Sequence, residues 1–80
     1  MNTEDDEDEK DLKRTMIGHE ISSLEMQIRT LESNISSMKS MTYNDDSEKN
    51  FNENAIQNDE YRLSGLKSDL SELEWKLANI

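Results

Sequence analysis

Residues 63–80 read LSGLKSDLSELEWKLANI, and the spacing of their apolar side chains decides the fold. Leu63, Leu66, Leu70, Leu73, Leu77 and Ile80 are separated alternately by three and four residues. On an α-helix that spacing draws six side chains into one narrow stripe, the a/d seam of a coiled coil. Such a stripe needs a second helix to receive it, and the rest of the chain is read by asking where that helix is.

A second seam lies upstream at Ile17, Ile21, Leu24, Ile28, Leu31, Ile35 and Met38, with the same alternation of steps. It places Ile21, Ile28 and Ile35 at a and Leu24, Leu31 and Met38 at d, a combination suited to two-stranded packing. Leu12 and Met16 fall off this stripe, so the first turns present a rotated apolar surface. Gly18 lowers helix propensity there by about 1 kcal/mol relative to Ala.

After Met38 the periodicity fails. Continued register would put Thr42, Asp45, Lys49 and Asn52 at successive core positions, which no seam tolerates. Asn44-Asp45-Asp46-Ser47 is turn chemistry, and the Asn-rich run to Asn54 is cap chemistry. Asn50 with Glu53, or Asn54 with Gln57, has the spacing of an N-cap with a reciprocal partner. The seam resumes with Ile56 at a and the polar Asp59 at d. The expected fold is therefore all-α: a two-helix antiparallel coiled-coil hairpin with helices over about 12–41 and 54–80 and a polar loop over about 42–53. One continuous helix pairing with a second copy is the alternative, since residues 21 and 56 are five whole heptads apart.

In an antiparallel pair, residue numbers facing each other sum to a constant. A sum of 101 seats Ile28 on Leu73 and Leu31 on Leu70, and sets Lys39 near Glu60 and Glu32 near Lys67. A slip of one heptad puts Ile35 against Asp59. Exposed ion pairs contribute too little to choose between these registers.

Composition fits long helices. The chain has 80 residues, 31% hydrophobic and 35% charged, with no Pro and two Gly, a balance far from that of a compact mixed fold. One hairpin of this size buries little, so further burial is expected, in a bundle of hairpins or on another protein. The formal charge is −10, unlike the basic surface that phosphate recognition needs, so direct nucleic-acid binding is not expected. Seven acids and one Lys fall within residues 1–11, which read as a disordered acidic tail. The sequence has no Cys, hence no disulfide or thiolate metal site. It shows neither a secretory leader nor an apolar run long enough for a bilayer, and an intracellular location, cytoplasm or nucleus, is expected.

Trp75 and Tyr61 both occupy position f, away from the seam. With Leu12 and Met16 they form the candidate partner contact, because exposed aromatics often anchor interfaces; the bland reading folds Trp75 against Leu12 and Met16 of the same chain. His19 is the sole histidine and reads as a solvated helix residue. Paired carboxylates such as Glu72 and Glu74 lack the concave, partly apolar setting that catalysis requires. Ser22 and Ser71 each precede an acid by three residues, a weak signal for acid-directed kinases. No enzyme, cofactor or metal site is read here.

Two heptad helices joined by a polar segment over Ile17–Ile80 resemble the N-terminal antiparallel coiled coil of hantavirus nucleoproteins. The resemblance rests on leucine periodicity; the acidic tail departs from it. It implies a segment that promotes nucleoprotein self-assembly, and no functional residue is carried over. The expected function is a non-enzymatic interaction and oligomerisation module, self-associating or docking onto a larger assembly. The alternative is an acidic inhibitor or chaperone-like protein that binds a basic partner surface.

Overall fold

A computed structural model describes the backbone of residues 3–80 and the side chains from Asp8 onward. Residues 1 and 2 of the expected acidic tail, and the side chains of residues 3–7, lie outside this description. The chain forms two long helices, α1 (Thr3–Lys39) and α2 (Asp46–Ala78), packed against each other as an antiparallel hairpin. The described residues contain no strand.

The boundaries differ from those expected. The first helix is drawn from Thr3 rather than from about residue 12; acids in a first turn oppose the positive end of the helix dipole. The second starts at Asp46 rather than about residue 54, and the loop shrinks to residues 40–45. Its N-cap is Asp45, not Asn50 or Asn54. Asp45 has extended backbone (φ −146°, ψ 166°), and its Oδ1 accepts from the backbone N–H of Glu48 at 2.8 Å. Asp46 and Glu48 add negative charge to the same turn.

The loop holds neither Gly nor Pro, and no described non-glycine residue takes a positive φ. What reverses the chain is instead a hydrogen-bonded latch on the Met38 carbonyl. That oxygen lacks an intrahelical donor because α1 ends one residue later. It accepts from the Met41 N–H at 3.3 Å, the Tyr43 hydroxyl at 3.0 Å and Asn52 Nδ2 at 2.9 Å. Asn52 also donates to the Tyr43 hydroxyl. Tyr43 and Asn52 are half-buried. Asn52 is thus a polar residue at a d position, placed to close the end of the seam rather than to fill it.

The helices are staggered. Thirty-seven residues of α1 span about 55 Å at 1.5 Å per residue, yet the molecule is 69 Å long and 14 × 13 Å across. The loop runs beside the first turns of α2, so those turns project past the end of α1. At the other end, α1 projects past α2, and Arg14 reaches the Ile80 carbonyl at 3.5 Å. Grooves along the hairpin are lined by Leu24 with Leu73, Leu31 with Leu66, and Ile35 with Leu63. These are d-with-d and a-with-a neighbours, which lie diagonally across adjacent layers of an antiparallel seam, so the grooves fit either register considered. Lys39 and Glu60 do form the expected ion pair, at 2.8 Å. Glu32 with Lys67 is not among the ion pairs of the described residues.

Every seam residue of both helices is buried or half-buried. Burial is greatest in the C-terminal half of α1, where Ile28, Leu31 and Ile35 retain 6%, 8% and 7% of their surface. No described residue of α2 is buried to that degree. Leu31→Ala is therefore expected to destabilise the hairpin by about 2–4 kcal/mol, and Ile80→Ala by under about 1 kcal/mol. Urea titrations followed by helical circular dichroism test this contrast. Asn52→Ala, which removes the latch donor, is expected to cost about 1–2 kcal/mol by the same measurement.

Candidate interaction surface

The side chains outside the seam divide into two flanks and an outer face. Positions e lie on one flank. There Asp11, Glu25, Glu32, Asp46, Glu53, Glu60 and Glu74 face solvent with Lys39 and Lys67, seven acids against two lysines. Positions g line the other flank, where Lys13, Arg62 and Lys76 are matched by Glu20, Glu48 and Asp69. One flank of the hairpin is acidic and the other nearly balanced, a division that composition alone did not reveal.

The outer face has a different chemistry. A helix surface turned away from its core usually carries the charges that keep it solvated. Here the b, c and f positions from Leu12 to Ser37 and from Gln57 to Ala78 are exposed throughout, yet Arg29 and Glu72 are their only charged residues. Serine, threonine and methionine dominate on α1. On α2 a run of small residues, Ser64, Gly65, Ser68 and Ser71, lies between Tyr61 and Trp75. The signal was present in the sequence but becomes legible only once the seam phase shows which positions point outward.

Tyr61 is 85% exposed and Trp75 66%. Leu12 and Met16 are also exposed. Trp75, Leu12 and Met16 each present most of their surface to solvent. Trp75 and Tyr61 share the outer face of α2, two heptads apart, while Leu12 and Met16 lie one turn apart in the N-terminal half of α1. Met26, on the outer face of α1, and Met41 and Phe51, beside the loop, are further large exposed apolar residues. Met41 and Phe51 flank a shallow cleft with Tyr43 and Glu48.

His19 is exposed, and among the described residues no group of three or more His, Asp or Glu side chains is placed to hold a metal ion. Ser22 and Ser71 are exposed on helix surfaces. Among the described residues, no helix is long and apolar enough to cross a membrane.

No family model, curated protein or solved structure matches the chain. The likeness to hantavirus nucleoproteins accordingly rests on seam periodicity alone.

Because Trp75 makes none of the seam contacts, Trp75→Ala is expected to shift the unfolding midpoint of the dilute hairpin by no more than about 0.5 kcal/mol in stability. A larger loss in urea titration would mean that the indole packs within its own chain.

Proposed function

We propose that this protein is a coiled-coil interaction module whose hairpin is completed by assembly, with itself or onto a larger protein. The observation that carries the reading is the shallow burial of the seam. Two helices meeting along one stripe bury three side chains deeply, and none of those is in α2. The accessible surface is 6395 Å², about a quarter more than the roughly 5,000 Å² typical of a compact protein of 9.3 kDa. A thin core supplies little stability in a chain of this size, and association is one way in which small chains without a disulfide or structural metal gain more. The exposed Tyr61, Trp75, Met26 and Phe51 are the kind of apolar and aromatic side chains that form the centres of interfaces.

The acidic e flank supports a second reading, in which that side receives a basic protein surface. Association through it would be steered by charge and weakened by salt. The clustered acids of residues 1–11 would add to the same field. Deleting residues 1–11 separates the two readings: assembly through apolar faces survives the deletion, whereas binding that depends on the polyanionic segment does not.

Light-scattering mass during size exclusion, with helicity followed over a range of concentrations, tests the principal reading. Helicity and mass are expected to rise together with concentration, or helicity to stay low until a partner is added. A fully helical, cooperatively unfolding monomer at every concentration would falsify it, since such a hairpin needs no completion.

A further inference from the structure

We propose that two copies of this chain associate through their g flanks, α1 against α1 and α2 against α2, both antiparallel, into a two-fold four-helix bundle. The inference rests on the assembly reading above and names its partner and surface.

The register of the hairpin comes first. Arg14 reaches the Ile80 carbonyl and Asn52 reaches that of Met38, which fits facing residues whose numbers sum to 94. From Thr3 to the level of Asp46 is then about 68 Å at 1.5 Å per residue, against the 69 Å observed. A sum of 101 would need about 78 Å. Each hairpin thus ends in a projecting α1 on one side and a projecting start of α2 on the other.

Two grooves show where the seam lies open. They share Gln27 and run along the g flank from Glu20 to Asn34, about 21 Å of α1. Four d leucines, Leu24, Leu31, Leu66 and Leu73, line them, and the neighbouring c residues Ser23 and Thr30 are small. A helix pair seated there extends the core that already exists. The corresponding groove on the e flank lies between Glu32 and Glu60, in a row dominated by acids, so a second copy's e flank is repelled from it.

Charge then selects the partner. With α2 residue numbers summing to 131 between copies, Arg62 of each comes level with Asp69 of the other, giving two symmetric ion pairs. Within one hairpin these side chains share their grooves with the neutral amides Asn34 and Gln27, and neither is ion-paired among the described residues. The same alignment lays the projecting α1 of one copy beside the projecting α2 of the other, where Lys13 and Glu48 lie within one turn of each other's level. Glu20 and Lys76 already share a groove within each hairpin. No two like charges of the g rows come level. Phe51, 78% exposed, comes level with Ile80 of the other copy, so the apolar side chain at each loop end covers the thin end of the opposite seam. Every contact occurs twice and the interface closes on itself, as a two-fold interface must. The acidic e flanks face outward, and the two α1 N-termini lie at opposite ends.

The experiment follows the mass and helicity of the full chain against concentration for the native sequence and for Thr30→Lys, Ser36→Lys, Arg62→Glu and Arg62→Glu/Asp69→Arg. The native chain is expected to form a dimer or an even-numbered multiple. Thr30→Lys, which puts a charge into the groove but lies outside the hairpin seam, should weaken association by about thirtyfold or more with helicity at low concentration unchanged. Ser36→Lys, its counterpart on the e flank, should leave association as it is. Arg62→Glu should weaken it severalfold and the double reversal restore it. The chain has no Cys, so Asn44→Cys carries a single spin label; the two loops should lie about 50 Å apart. Loops within about 30 Å, the spacing of a bundle with both loops at one end, overturn the alignment. An oligomer indifferent to Thr30→Lys and Arg62→Glu overturns the interface but leaves the assembly reading standing. A monomer at all concentrations overturns the second copy as the occupant; if that monomer is weakly helical, the reading of a module completed by another protein survives.

Discussion

The structure depends on a geometric constraint: a helix with one apolar stripe, packed against one neighbour, cannot enclose its side chains. Each seam residue is covered from the front by the opposite helix and stays open toward both flanks. Only where the stripe is covered over several consecutive turns, at Ile28, Leu31 and Ile35, does burial become deep. Toward either end the stagger removes the facing helix, and exposure rises. The same constraint places the charged residues. Long side chains at e and g lie over the open edges of the seam, where their methylene stems cover apolar surface while their charged ends stay in water. Lys39 with Glu60 is one such bridge. Exposed pairs of this sort contribute about 0.2–1 kcal/mol each. They bias the pairing but do not hold it.

The latch at the loop answers a different problem. A helix end leaves carbonyls without donors, and the α1 end lies against α2, where water alone cannot serve every one of them. Met38 contributes one such carbonyl, and Tyr43 and Asn52 supply donors from the loop and from α2. This bonding ties the reversal of the chain to the start of the seam. It also accounts for a hairpin whose loop has no Gly or Pro. The turn is specified by partners at a distance rather than by backbone preference.

These two features explain what the sequence made legible. The stripes Ile17–Met38 and Ile56–Ile80 were readable because a 3.5-residue period is a property of each helix by itself. So was the failure of the pattern between them. The register was not readable, because a heptad repeat looks the same after a shift of seven and the stagger depends on how far the loop climbs before α2 begins. The N-cap was obscured by abundance: Asp45, Asn50 and Asn54 all have capping side chains, and the choice among them turns on where the latch fixes the chain. Asn52 could be placed at d from the period, but its bonds to Met38 and Tyr43 exist only in the folded hairpin. Trp75 and Tyr61 could be placed at f in the same way. Their exposure follows from the absence of a third helix, which no local pattern encodes.

The three surfaces of the hairpin suit different kinds of contact. On the acidic e flank, an approaching acidic surface is repelled and a basic one attracted, with a strength that falls as salt rises. The g flank, nearly balanced in charge, exerts little long-range selection. The outer face carries almost no charge, so what approaches it is sorted by shape. An outer face built for solvation alone would carry lysines and glutamates at these positions, as the flanks do. That this chain puts its charges at e and g, and serine, glycine and tryptophan outward on α2, makes the outer face the least well solvated surface available for helix packing. Burying it desolvates few charges, so the apolar gain from Trp75 and Tyr61 is opposed mainly by the entropy of association.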